Sequence, residues 1–167
     1  MNNFTKEEIK ESLEYTWRKS SLKWILILWA VIAVLMTLPM LVLGIGNMEN
    51  FIFTAQIWLL VMAIYTAILL PFILYYFYKM RYLVKHYNEF SAHEVVLDNP
   101  STSHLYRGAV YYTVTVNDED AMREVDTNPY FASGIAAFSL NEYNNKRVVG
   151  LYDGNADKFY IIKRVGK

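Results

Sequence analysis

Asp153-Gly154-Asn155-Ala156-Asp157 sets carboxylate, amide and carboxylate at alternate positions, the D-x-N-x-D spacing that opens a calcium loop. A complete EF-hand loop needs glycine at its sixth position and glutamate at its twelfth, where this chain has Lys158 and Arg164. The three side chains would supply only part of calcium's oxygen shell, with the Lys158 ammonium beside the ion. Asp, Gly and Asn are equally what a tight hairpin requires for its backbone angles. The segment therefore reads as a turn between two strands, with Asp153, Asn155 and Asp157 the weak candidate for a metal and no micromolar calcium binding expected. As a plain turn, it should tolerate Asp153→Asn with Asp157→Asn at almost no cost in stability.

The remaining chemistry-bearing types form no known constellation. His86, His93 and His104 share no metal-ligand spacing, although an imidazole at the juxtamembrane position of His86 is suited to sensing pH. No glycine-rich phosphate loop, G-x-S-x-G elbow or H-E-x-x-H occurs, so neither enzymatic activity nor a cofactor is expected. The chain lacks cysteine, which excludes disulfides and thiolate chemistry and fits a reducing compartment. Aromatic residues are plentiful, with 14 Tyr and 9 Phe. Those after Ala92 exceed what one small core holds, which marks Tyr111, Tyr130, Phe131 and Tyr143 as a candidate interaction surface. Exposed aromatics on a small barrel also suit single-stranded nucleic acid. However, the segment from Ala92 to Lys167 carries eight Lys/Arg against ten Asp/Glu, and that acidic balance favours a protein partner.

The elements that must position these residues start with the membrane. Phe51 to Tyr78 contains no charged side chain and as a helix would reach roughly 42 Å, beyond the ~30 Å hydrocarbon core. Trp24 to Leu43 is a second uncharged run. The short turn between them predicts a two-helix transmembrane hairpin (24–43 and 51–78, within 24–78). Small residues at matching depth, Ala30, Ala33 and Thr37 against Ala63, Thr66 and Ala67, are expected to pack the two helices together. Gln56, Tyr65 and Thr66 are polar groups within the second span and are expected to hydrogen-bond between helices. The turn carries no Lys or Arg, whereas Lys6, Lys10, Arg18, Lys19 and Lys23 precede the first span and Lys79, Arg81 and Lys85 follow the second. That asymmetry places both termini in the cytoplasm of a plasma or inner membrane. The acidic residues of the first twenty make the N-terminus an uncleaved anchor rather than a secretory signal.

Residues 1–23 read as an amphipathic helix. Thr5 and Glu8 form a capping box, Phe4 and Ile9 a hydrophobic staple, and Ile9, Leu13 and Trp17 one apolar stripe. Two placements fit, at the membrane surface or against the chain's own C-terminal domain. Residues 79–91 continue the second span as a helical stalk. Residues 92–167 then switch to short strands: His93–Asp98, Gly108–Val116, Ala121–Thr127, Lys146–Asp153 and Lys158–Val165, with a short helix around Phe138–Tyr143. In the second, Val110, Tyr112, Val114 and Val116 face one way. The expected fold is thus a membrane hairpin plus a small all-β barrel of OB or SH3-like type, with residues after Ser91 folding by themselves.

Tyr112-Thr113-Val114-Thr115-Val116 and Val148-Val149-Gly150-Leu151-Tyr152-Asp153 together resemble a family of uncharacterised bacterial membrane proteins. Its members pair transmembrane helices with a small β-domain whose last hairpin reads V-x-V-x-Y-D-P-x-N-P. The resemblance covers the C-terminal third, and Gly154 and Asp157 stand where the prolines would be. It implies the fold and carries over no functional residue. The resulting expectation is a membrane-anchored accessory, adaptor or regulatory protein whose partners are membrane lipid and either another protein or a second copy. A membrane-tethered sensor of a small ligand or ion, and an immunity-type membrane protein, are the alternatives.

Overall fold

The computed structural model describes residues 4–44, 48–102, 108–118, 121–131 and 140–166. His104, Tyr106 and the expected helix start at Phe138 lie outside them. The chain forms two compact units, Ser21–Tyr78 and a second made of Met1–Ser20 with Lys79–Lys167.

The first unit is a pair of long apolar helices, the central parts of α2 (Leu13–Gly44) and α3 (Met48–His86), each long and apolar enough to cross a membrane. Their half-buried positions recur every three or four residues: Ile25, Trp29, Ile32, Met36 and Met40 on α2, and Trp58, Val61, Tyr65, Leu69 and Ile73 on α3. Such a period lines one helix face. The Trp29 indole donates to Thr66 Oγ1 across the pair at 3.0 Å, realising for Thr66 the expected interhelical bond.

The second unit is built around a mixed sheet. Its strands are β1 (Ser91–Leu97), β2 (Ser101–Thr102), β3 (Ala109–Tyr111), β4 (Thr113–Asp118), β5 (Ala121–Thr127), β6 (Tyr130–Phe131), β7 (Lys146–Asp153) and β8 (Lys158–Arg164), with a short α4 (Leu140–Tyr143). Five strands lie in the order β1-β7-β8-β5-β4, with β5 and β8 parallel, and β1 returns beside β4 so that the sheet is nearly closed. The strand expected over Gly108–Val116 is divided at Tyr112. Its amide donates to Thr127 Oγ1 at 3.0 Å and its carbonyl accepts from the Thr127 amide at 2.8 Å, while β3 joins a separate sheet, β2-β3-β6. The alternation survives the division: Val110, Tyr112, Val114 and Val116 are buried, and Thr113 and Thr115 exposed.

β7 and β8 are buried on both faces. Leu151, Tyr160 and Ile162 pack with Ile9, Leu83 and Phe90, so the first helix α1 (Lys6–Glu11) and the end of α3 cover one side. The other side carries Val148, Tyr152, Phe159 and Ile161, also buried. The N-terminal segment therefore packs on the chain's own β-domain, the second of its two sequence-based placements. The capping box forms, with the Glu8 amide donating to Thr5 Oγ1 at 3.2 Å and the Thr5 amide to Glu8 Oε2 at 2.9 Å. That backbone bond and the Lys163 ammonium hold the Glu8 carboxyl below its ordinary value. The amphipathic helix is not continuous: Ser12 ends α1, and its hydroxyl accepts from the Tyr15 amide at 3.2 Å to start α2. The expected stalk is likewise no free spacer, because Leu83 and Phe90 lie in the core.

Candidate functional site

Two carboxylates with no exposed surface, Glu14 and Asp153, organise the β-domain unit. Asp153 ends β7, where the chain must reverse. Its Oδ1 accepts from the amides of Asn155 at 3.0 Å and Ala156 at 3.2 Å, closing the turn, and its Oδ2 accepts from Tyr82 at 3.0 Å and Tyr160 at 3.3 Å. A side chain at the end of α3 is thereby fastened to the last hairpin. Asp157 takes a positive φ of 49° and accepts from the Tyr152 hydroxyl at 3.2 Å. Both carboxylates of the D-x-N-x-D run thus serve the turn and its neighbours. No group of three or more His, Cys, Asp or Glu side chains converges among the described residues.

Glu14 sits in the first turn of α2. Its Oε1 accepts from Arg18 Nε at 2.8 Å, from Arg18 Nη2, and from Asn128 Nδ2 at 3.0 Å, while its Oε2 accepts from the Tyr130 hydroxyl at 2.5 Å. Arg18 is itself only 2% exposed. A buried ion pair survives when further hydrogen bonds satisfy its remaining lone pairs, and Asn128 and Tyr130 supply them. Trp17 covers the phenol edge-on, its ring centroid 5.3 Å from that of Tyr130. Burial, then the Glu14 charge, pushes the Tyr130 hydroxyl well above its ordinary value. Burial raises Tyr160 too, followed by the charges of Asp153 and Glu14. Both phenols therefore remain protonated donors. Chemically, each cluster is a set of donors and acceptors suited to holding one helix end on the β-domain.

The i,i+4 spacing of Glu14 and Arg18 is legible in sequence, but its burial and its distant partners are not. Tyr130 is a correction: expected on the surface, it is fully buried because its hydroxyl completes the Glu14 cluster. Tyr111 is half-buried and Phe131 is 38% exposed, both on the β2-β3-β6 sheet. Tyr143 is half-buried with the Arg164 guanidinium 5.5 Å from its ring centroid. In the hairpin unit, Ala33, Thr37 and Thr66 are half-buried, whereas Ala30, Ala63 and Ala67 are exposed. Bulky Trp29, Met36, Trp58 and Tyr65 occupy the seam and leave those alanines outside it. Gln56 is also exposed.

Compared with known proteins, the chain matches no family model, no curated protein and no solved structure.

Proposed function

We propose that this chain is a two-pass protein of the plasma or inner membrane, both termini cytoplasmic, whose β-domain is an adaptor or regulatory module for a protein partner. One observation carries the reading. The two helices that form the apolar hairpin also supply Glu14, Tyr82 and Leu83 to the buried interior of the β-domain. The segments flanking the hairpin, residues 1–20 and 79–91, are thus part of the β-domain's own fold. The absence of Lys and Arg from the turn between the helices supports the orientation.

The β-domain is assigned to the OB class of small barrels. Support comes from the order β1-β7-β8-β5-β4, from the parallel β5–β8 pairing, and from the position of α4, between β5 and β7, among the described residues. Its docking face is assigned to Tyr111, Phe131 and Tyr143, aromatic residues that retain accessible surface on an acidic domain. The test is photocrosslinking in the native host from each of these three positions, with Thr115 on the outer face of β4 as control. One adduct of constant mass from the aromatic positions and none from Thr115 is the expected result. An adduct of twice the chain's own mass would identify a second copy as the partner. No adduct from any aromatic position, or the same adducts from Thr115, would overturn the adaptor reading.

A further inference from the structure

Within the hairpin unit, α3 turns one polar side chain away from α2. Gln56, Ala63 and Ala67 are all exposed, and each stands two residues from half-buried positions of the seam: Gln56 from Trp58, Ala63 from Val61 and Tyr65, Ala67 from Tyr65 and Leu69. Two residues rotate a helix by about 200°. The three therefore lie on the face opposite the seam, with Leu60 and Leu70 exposed on either side of it. Gln56 also lies inside the apolar layer. It stands ten residues from Thr66, as Pro39 does from Trp29, so the Trp29–Thr66 bond sets it level with Pro39, within the uncharged run 24–43. Among the described residues, Trp29, Thr37 and Thr54 satisfy their side chains inside the hairpin, whereas no hydrogen bond reaches the Gln56 amide.

We infer that this face of α3 packs against the same face of a second copy of the chain, with the two Gln56 amides bonded to each other. The inference rests on the membrane-spanning reading above and adds a partner to it. An unpaired amide among lipid tails is costly, and the remedy there is a hydrogen bond to another helix. Copies of one chain insert in the same orientation. A two-fold axis along the membrane normal then brings each Gln56 beside its counterpart at equal depth. An amide carries both donor and acceptor and is its own complement. A different membrane protein would need a polar group at that same depth, whereas a second copy has one by symmetry. Ala63 and Ala67, one helical turn apart on the same face, let the two backbones approach closely.

Because the chain has no cysteine, single introduced cysteines report this contact without background. The test is oxidative crosslinking of the full-length protein in native membranes from Ala63→Cys and Ala67→Cys, with Ile57→Cys and Ile68→Cys as controls. The control positions are exposed but turned about 100° from Gln56 and Ala67. A species of twice the chain's mass is expected from the alanine positions and not from the controls. Adding Gln56→Leu should reduce its yield about three- to tenfold, and Gln56→Asn should retain it. Equal yields from the controls, no such species from either alanine position, or a yield indifferent to Gln56→Leu would each overturn the inference. An adduct of any other mass would give the face to a different protein and overturn it as well. Release of the unmodified protein by alkaline carbonate would instead overturn the membrane-spanning reading. If the cysteine variants do not insert, sedimentation of the unmodified protein in mild detergent decides: a dimer is expected, and a monomer overturns the inference.

Discussion

Glu14 and Tyr130, 116 residues apart in sequence, meet carboxylate to phenol at 2.5 Å with neither side chain exposed. The contact joins the first turn of α2 to β6, beside the Arg18 guanidinium that pairs with Glu14. Tyr130→Phe keeps the ring and its edge contact with Trp17 but removes one donor from a buried carboxylate. The expected cost is about 1.5–3 kcal/mol. Glu14→Ala removes the carboxylate paired with the buried guanidinium and should cost more, about 3–5 kcal/mol. Because the two act on one cluster, the double variant should fall well short of their sum. Denaturant unfolding followed by tryptophan fluorescence measures all three; strict additivity would show that the cluster is not a unit.

The same phenols set a pH limit. Tyr130 and Tyr160 have raised values in the folded chain and the ordinary value of about 10 when unfolded. Below pH 10 both states keep the proton and the full stability is present. Above it the unfolded chain ionises first, so stability falls by up to about 1.4 kcal/mol per pH unit for each of them. Unfolding midpoints compared at pH 8 and pH 11 should show this decline, and Tyr130→Phe should flatten it. An identical slope in that variant would remove Tyr130 from the account.

Much of this fold was legible in the chain. The uncharged runs, the capping box of Thr5 and Glu8, and the alternation from Val110 to Val116 each rest on local spacing, and each is realised. What escaped was long-range burial. Val148-Val149-Gly150-Leu151-Tyr152 and Phe159-Tyr160-Ile161-Ile162 do not alternate, and a continuous apolar run is the mark of a strand covered on both faces. That signal called for a helix over the outer face of β7 and β8, the place that Ile9 and Leu83 take. Tyr130 departs from its expected surface position for a related reason. A tyrosine in a short irregular stretch carries no periodic signal, and its partner Glu14 lies at the other end of the sequence. In the hairpin, small size alone marks Ala30, Ala63 and Ala67, which are exposed, while the half-buried positions recur at helical spacing.

Residues 92–167 alone are therefore not expected to fold, contrary to what the strand pattern suggests. Without Ile9, Leu83 and Phe90, one face of Leu151, Tyr160 and Ile162 meets water. Losing three such buried partners forfeits roughly 5–9 kcal/mol, comparable with the entire stability of a small domain. Amide spectra of this fragment should show poor dispersion. A well-dispersed spectrum with cooperative unfolding would refute the claim that the helical segments complete the core.

Gly150 lies at a register shift between β7 and β8, where the two strands approach closely. A Cβ there would overlap the Phe159 ring and come within 2.6 Å of the Tyr160 carbonyl oxygen. A ring can move, but a strand carbonyl moves only with its ladder. Gly150→Ala should therefore destabilise by about 1–3 kcal/mol or more through overpacking. Adding Phe159→Leu should not restore stability, since the backbone clash remains. Thermal unfolding of both variants decides, and full rescue by Phe159→Leu would place the strain in the ring alone.

The Asp153 turn carries the last prediction and reverses one made from spacing. As an exposed hairpin turn it would tolerate asparagine at both acidic positions. The structure separates the two. Asp157 is exposed, and its left-handed backbone suits asparagine as well as aspartate, so Asp157→Asn should change stability by less than about 0.5 kcal/mol. Asp153 is buried and accepts from two amides and two phenols, and an asparagine there retains one oxygen for the amides and turns an NH2 toward Tyr82 and Tyr160. Asp153→Asn should cost about 1.5–3 kcal/mol, measured in chelator so that metal plays no part. Because the Asp153 oxygens already hold four protein donors, calorimetric titration of the full-length protein with calcium should show no micromolar isotherm. A micromolar isotherm lost in Asp153→Asn, or an Asp153→Asn variant as stable as the parent, would overturn the assignment of this turn as the fastening point of α3.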